Sequence, residues 1–185
     1  MASIRENIEL KILIVGGGIG GLGAAIALAQ QGFQVTILEK AKELENVGAG
    51  IQLSPNAMHV LAAYGLHQQI LACSFEPQAG IIRDYKTGKV LTKTPFGEVI
   101  ERRYGQSYLH IHRADLVAIL YKAAVQAGVE ICLNAVFSSY HQSTFGCVVT
   151  TASGQQFEAD VVVGADGIRS SVQAQLFGKQ KPRWT

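Results

Sequence analysis

Residues Leu10–Glu39 read LKILIVGGGIGGLGAAIALAQQGFQVTILE, and this stretch decides the fold. Leu10–Val15 is nearly continuous in apolar residues, the look of a parallel strand covered on both faces. The glycine-rich turn Gly16–Gly21 follows it. Leu22–Gln31 is rich in Ala and Leu and suits a helix packed closely on a sheet, with Gly32 as its C-terminal stop. Gln34–Leu38 is a second strand, and Glu39 stands at its end. The β-turn-α-β unit closes in about 30 residues, the usual size. Gly16-x-Gly18-x-x-Gly21 between a strand and a helix, with an acid about 20 residues on, is a pyrophosphate-binding pattern in its proper context. Gly16 permits the tight turn, Gly18 lets backbone approach an anion, and Gly21 lets helix and strand pack closely. The helix start supplies free N–H groups and a favourable dipole. Glu39 can accept from both hydroxyls of an adenosine ribose, and its charge would repel a 2′-phosphate.

Working outward, Val47–Leu53 is an apolar, Gly-rich loop. Pro55–Tyr64 is expected as a helix, with Ser54 as N-cap, Pro55 at its first position and Gly65 at its end. Gly80–Tyr85 and Lys89–Thr94 form a hairpin around Lys86-Thr87-Gly88. Arg113–Ala127 is helical, since Leu116, Ile119, Leu120, Ala123, Ala124 and Ala127 share one face. Val129–Leu133 is a third buried strand. Val136–Tyr140, Phe145–Thr151 and Gln155–Ala159 follow as short antiparallel strands with a turn at Ser153-Gly154. Val161–Gly164 is a fourth buried strand, and a short helix runs from about Arg169 to Phe177.

The composition bounds the function. The net charge of +2 is too small to suggest nucleic-acid binding. At 48% apolar, the 185 residues can bury a real core. Short basic clusters at Arg102–Arg103 and Lys179–Arg183 read as solvated faces. Cys73, Cys132 and Cys147 are far apart, show no metal-ligand spacing and fit a reducing, cytoplasmic setting. Met1–Leu10 has no signal-peptide core, and no apolar run reaches the roughly 18 residues of a membrane helix.

Two further segments carry competing readings. Arg113, in HIHRADL, opens a helix, where a cation opposes the macrodipole at roughly 0.3–1 kcal/mol. A bound phosphate would offset that cost, and so would Asp115 in the same turn; spacing alone leaves both open. His110 and His112 alternate on a strand-like run and read first as core or surface residues. Gly164-Ala-Asp-Gly-Ile-Arg-Ser170 is, on its residues, a capped turn with Asp166 or Ser170 as N-cap and Gly167 at positive φ.

In order and spacing, VGGGIGGLGAAIAL, GAGIQLSPNAMHVLAAYGL, HIHRADL and VVVGADGIRSSV resemble the class A FAD-dependent aromatic monooxygenases, the group of para-hydroxybenzoate hydroxylase. Within that group the chain is most similar to the salicylate hydroxylase-like and 3-hydroxybenzoate 6-hydroxylase-like branch. The likeness spans Lys11 to Phe177. It implies an α/β fold: a Rossmann-like FAD-binding domain, mostly parallel, with a three-stranded β-meander as one crossover, plus the start of a substrate-domain hairpin. Residues 1–72 would be the FAD-binding βαβ unit and following helices, 73–109 a partial substrate strip, and 110–185 the second part of the FAD-binding domain.

The resemblance also assigns roles. Gly16, Gly18 and Gly21 would cradle the FAD pyrophosphate and Glu39 would bind the adenosine ribose, with Ile19, Gly20 and Lys40 also among the cofactor-binding residues. Gly48 to Ile51, Gly50 and Ile51 above all, would approach the ribityl and flavin end. Arg113 would contact the phosphate or ribityl region, and Val136 would meet the adenine. Asp166 would serve both FAD and NAD(P)H binding. NADH or NADPH would be a transient reductant, and a small aromatic acid and O2 the substrates. No catalytic or metal-binding residue is implied, because the cofactor carries the oxygen chemistry. The family's third motif, Gly-Asp with small residues, is not found after Phe177, so the chain reads as a truncated N-terminal half, inactive alone. The alternatives are a non-catalytic FAD-binding module and the NAD-binding domain of a dehydrogenase; the meander and the Asp166 turn count against the latter. Oligomeric state stays open.

Overall fold

The apolar run that opens the fold becomes an inner strand of a parallel sheet. The computed structural model describes residues 10–43 and 49–179. In chain order the elements are β1 (Lys11–Val15), α1 (Ile19–Gln30), β2 (Gln34–Leu38), β3 (Gly50–Leu53), α2 (Pro55–Ala63), α3 (His67–Ala72), β4 (Ser74–Phe75), β5 (Ala79–Arg83), β6 (Val90–Pro95), α4 (Glu98–Tyr104), β7 (Leu109–His112), α5 (Arg113–Gln126), β8 (Glu130–Cys132), β9 (Phe137–Ser143), β10 (Gly146–Thr151), β11 (Gln156–Ala159), β12 (Val161–Gly164) and α6 (Ser171–Phe177). They divide into two compact units, one from Met1–Glu45 and Leu120–Thr185, the other from Asn46–Ile119.

In the first unit the sheet order is β12-β1-β2-β8, parallel throughout. The order reverses at β1, which has β2 on one side and β12 on the other. Leu13, Ile14, Leu22, Ile26, Ile37 and Leu38 are fully buried, each stabilising the fold by roughly 1.5–3 kcal/mol. The antiparallel meander β11-β10-β9 packs on this core through Val149 and Ala159, which cluster with Leu13, Leu38 and Ala135, the last just ahead of β9. The Gln175 side chain ties α6 to β9, accepting from Tyr140 N at 3.0 Å and donating to Tyr140 O at 2.6 Å.

In the second unit β3, β7 and β4 form an antiparallel sheet with β7 in the middle. Its core contains Leu53, Met58, Leu61, Leu66, Ile70, Leu109 and Ile111. The β5–β6 hairpin turns on Asp84, whose Oδ1 accepts from Thr87 N and Thr87 Oγ1, both at 2.7 Å, and from Lys86 N at 3.1 Å. The hairpin is largely open to solvent: Ile82 is 61% exposed and Leu91 63%.

The expected elements form within a few residues of their expected ends, with four differences. The loop expected over Val47–Leu53 is a strand from Gly50 onward, because β7 offers it an edge; Val47 and Gly48 lie outside the described residues. Val129–Leu133 and Val161–Gly164 do form strands, but β8 and β12 are the sheet's edges and are only half-covered, Val161 being 42% exposed. An apolar run reports a parallel strand, not its place in the order. Ser54 is the N-cap of α2 by position, yet its hydroxyl donates to Asn56 Oδ1 at 2.6 Å and makes no cap bond. The short elements α3, β4 and α4 carry too few residues to show a period.

Candidate functional site

Two turns meet at the carboxyl ends of β1 and β12, and they treat their helices oppositely. Gly16 continues the ladder, its N–H donating to Leu38 O at 2.8 Å. Its φ is +110°, and a Cβ there would sit 2.5 Å from Ala165 O and 3.0 Å from Asp166 Cα. Only glycine meets both demands. A Cβ on Gly21 would run into Gly16 O. Gly18, the N-cap of α1, is different: its φ of −75° suits any residue, and nothing lies within 4 Å of where a Cβ would point. Among the described residues no side chain caps α1. The N–H groups of its first turn, Ile19 and Gly20 among them, therefore have neither an intrahelical nor a side-chain partner.

The second turn satisfies its own helix. Asp166 Oδ2 accepts from Ser171 N at 2.6 Å and Val172 N at 3.2 Å, while its Oδ1 accepts from Ser170 Oγ at 2.5 Å. Ser170 Oγ in turn accepts from Gln173 N at 2.9 Å. Asp166 and Ser170 thus share the capping that the sequence offered as alternatives. Gly167 has φ +80°, as the turn requires.

Glu39 faces the first turn. Its Oε2 accepts from Gly17 N at 2.6 Å and its Oε1 from Ala41 N at 2.9 Å. A carboxylate has about four lone-pair sites. One bond on each oxygen fixes the group and leaves each oxygen able to accept one more. Gly17 is a site residue that the motif spacing passes over: a Cβ there would lie 3.1 Å from Glu39 Cβ and Oε2. The signal was present as the middle member of three consecutive glycines.

Gly16, Gly18, Glu39, Lys40, Val136 and Asp166, all singled out from the sequence, line one cavity of about 270 Å³. Arg169, which the sequence places in that turn and at the start of the last short helix, lines it too. Gly21 lies buried behind the turn, where it governs packing. Two larger hollows, about 320 and 380 Å³, flank Lys11 at the amino end of β1. The first is lined by the β9–β10 hairpin turn with Gly146, neither is lined by a helix start, and parallel sheets bind ligands at the carboxyl ends, near the point where strand order reverses.

Gly50, Ile51 and Arg113 belong to the second unit and are neighbours there. Gly50 pairs with His112 and Ile51 with Ile111, and Arg113 N donates to Ala49 O at 3.2 Å. Asp115 sits in the first turn of α5 as an acid that suits the dipole. His110 is half-buried, edge-on to Tyr108 at 5.5 Å between ring centroids; its Nε2 is buried without a partner among the described residues. Burial, then the Asp115 charge, pushes the Cys73 thiol up; burial, then Glu130, does the same at Cys132. Among the described residues no cluster could hold a metal ion, and no helix is long and apolar enough to cross a membrane.

The family model described as FAD binding domain matches residues 9–181. The 3-hydroxybenzoate 6-hydroxylase of Polaromonas naphthalenivorans (strain CJ2) is 35% identical over 171 residues, 92% of this chain and 43% of that protein. The 6-hydroxynicotinate 3-monooxygenase of Pseudomonas fluorescens is 33% identical over 174 residues, 94% of this chain and 45% of that protein. Among solved structures, the tetrameric form of 2-methyl-3-hydroxypyridine-5-carboxylic acid oxygenase superposes with a TM-score of 0.79 at 32% identity, over 94% of this chain and 44% of that one. The chain thus spans under half the length of these relatives.

Proposed function

The chain belongs to the FAD-binding domain family of FAD-dependent aromatic monooxygenases, and on that premise we propose that the cavity between its two turns holds the ADP half of FAD. What carries this reading is the occurrence, in one cavity, of an uncapped helix start and a fixed carboxylate with acceptor capacity to spare. Gly16, Gly18, Ile19, Gly20 and Gly21 form the pyrophosphate cradle. The N–H groups at the start of α1 meet the anion, and the open space over Gly18 lets it approach. Glu39 accepts from the ribose hydroxyls, with Lys40 beside it. Val136 borders the adenine, and Asp166 holds the second turn in shape. The assignment of Gly50, Ile51 and Arg113 to the ribityl and phosphate region rests on the family likeness and on their adjacency within their own unit.

The whole protein, on this reading, hydroxylates a small aromatic acid with O2, using NADH or NADPH as reductant. FAD supplies the redox and oxygen chemistry when bound. These residues bind and orient it. The relatives that act on hydroxybenzoate and hydroxynicotinate support the substrate class. Free cysteines at 73, 132 and 147 support a reducing cytoplasm as its setting. We assign residues 1–72 and 110–185 to the FAD-binding domain and 73–109 to the start of a substrate strip. The 185 residues by themselves hold FAD without coupled hydroxylation on this reading, since they span under half the length of the hydroxylating relatives and a flavin site open to water loses its activated oxygen as peroxide.

The test is a visible spectrum of the purified chain, followed by NADH under air with the aromatic acid present. Flavin bands with peroxide as the sole oxygen product are expected. Flavin bands with hydroxylated product would overturn the statement about coupling. A colourless chain that takes up no added FAD would overturn the cofactor assignment.

A further inference from the structure

The outer strand of the meander carries a feature that the cavity does not use. β9 is seven residues long, the longest strand among the described residues, and lies at one edge of the sheet β11-β10-β9. The other edge strands of this unit, β8, β11 and β12, have three or four residues. The β9 sequence, FSSYHQS, holds no Lys, Arg, Asp, Glu or Pro, residues that ordinarily keep an edge from pairing with another chain. A backbone N–H carries one hydrogen, and that of Tyr140 points away from β10, to Gln175 Oε1 at 3.0 Å. The Tyr140 carbonyl turns the same way and accepts from Gln175 Nε2 at 2.6 Å. Those are the two bonds that a facing residue on a neighbouring antiparallel strand would make. The amide of Gln175 therefore stands where a further strand would lie. Gln142, two residues on, presents its N–H and C=O on the same side by the alternation of the ladder. Toward the start of β9, the register shift between Thr150 and Thr151 leaves Ser138 without a partner on β10, a bulge that bends the edge. Clasp and bulge are the devices that blunt this edge in place of charge.

We infer that Gln175 guards this edge: its amide keeps β9 from pairing, antiparallel, with β9 of a second copy of the chain. A second copy fits because the edge is its own complement. Turned about a two-fold axis at Tyr140, each Tyr140 offers the N–H that the other's carbonyl takes, and no like charges meet. Gln175 prevails in the native chain because it is already tethered beside Tyr140, whereas a second copy must arrive from solution. This role is independent of what the cavity binds.

The experiment is sedimentation of the 185-residue chain over a range of concentrations, with amide exchange read at Gln142. The native chain is compared with Gln175→Met and with Gln175→Met carrying Gln142→Lys as well. Methionine keeps the length and apolar stem of glutamine and lacks both hydrogen-bonding groups of the amide. Thermal unfolding checks that each variant folds. Gln175→Met is expected to self-associate roughly tenfold more tightly than the native chain. Its Gln142 amide should gain protection as concentration rises. Adding Gln142→Lys should return association to the native level, because Gln142 is exposed and a lysine on an edge opposes pairing. Association of Gln175→Met no tighter than native overturns the inference, whatever happens to the thermal midpoint: Gln175 would then only fasten α6 to the meander. Tighter association without concentration-dependent protection at Gln142 overturns it too, because the contact would lie elsewhere. Tighter association that Gln142→Lys leaves intact does the same. Should Gln175→Met fail to fold, Gln175→Asn, whose amide stops a methylene short of Tyr140, is read by the same outcomes.

Discussion

Glu39 Oε2 accepts a hydrogen bond from the N–H of Gly17 at 2.6 Å, joining the end of β2 to the turn after β1. The contact gives the carboxylate a fixed position before any ligand arrives, so ribose binding need not immobilise a free side chain. Replacing Glu39 with Arg puts a long cation where two N–H donors point. We predict that Glu39→Arg purifies without flavin. Absorbance at the flavin bands per mole of protein is the measurement, and native flavin content in the variant would contradict the ribose assignment.

Gly18 and Gly21 separate ligand contact from packing. A methyl group on Gly18 meets no protein atom, and its backbone angles suit alanine. Gly18→Ala should keep the thermal midpoint within about 2 °C of native, since surface changes are usually within about 0.5 kcal/mol. It should nevertheless bind FAD at least tenfold more weakly. Gly21→Ala drives a methyl into Gly16 O and should cost about 1–3 kcal/mol in stability. Calorimetric unfolding beside FAD titration distinguishes the two; a strongly destabilised Gly18→Ala would contradict the geometry of the turn.

Gly17→Ala should act on the site through Glu39. Its Cβ would press on the Glu39 side chain at 3.1 Å, so the carboxylate must shift by a few tenths of an ångström. FAD affinity should fall while adenosine-free stability changes by about 1 kcal/mol or less. Equal FAD affinities for Gly17→Ala and native chain would show that the position of Glu39 does not matter.

Asp166 caps α6 with Ser170. Asp166→Ala removes two backbone partners and should cost about 1 kcal/mol, or roughly 2–4 °C in a domain of this size. Ser170→Ala should cost a similar amount, and the double variant less than the sum, because Ser170 Oγ donates to Asp166 Oδ1. Strict additivity in thermal unfolding would count against a shared cap.

Asp84 gives a pH dependence with a defined sign. Hydrogen bonds from the Thr87 side chain, the Thr87 amide and then the Lys86 amide hold its carboxyl below the usual range. A depressed pKa stabilises the hairpin turn above the unfolded value of about 4, and that contribution disappears as pH falls through the lower folded value. The protection factor of the Thr87 amide, with the intrinsic pH dependence of exchange divided out, should therefore fall below about pH 4 in the native chain. In Asp84→Ala that protection factor should be low and insensitive to pH over the same interval.

Much of this was legible in the sequence because the decisive features are local. Gly21 is dictated by a clash with Gly16 O inside the same turn and Gly16 by its own positive φ, although Gly16 also faces Ala165 and Asp166 far along the chain, and Glu39 stands at a spacing fixed by one helix and one strand. The edge positions of β8 and β12 were not legible, since β12 reaches β1 across nearly the whole chain and no period encodes strand order. Gly17 escaped notice because its demand comes from a side chain 22 residues away. Arg169 did so because a turn read alone explains itself through Asp166 and Ser170. The strand at Gly50–Leu53 was hidden for a related reason: its partner, β7, lies some sixty residues downstream.

The helix that starts at Ile19 without a cap has a consequence for the folding equilibrium. Its sister α6 has a side-chain cap at Ser170, whereas α1 has none among the described residues, and on the proposed function part of that task falls to a bound molecule. Whatever binds there is then part of the thermodynamic definition of the native state. With FAD at about 100 times its dissociation constant, the folded form gains roughly 2.7 kcal/mol over the unfolded one. On the proposed function, the quantity of intact protein in a cell would follow flavin supply: starved of FAD, the chain would spend more time open to proteases and chaperones.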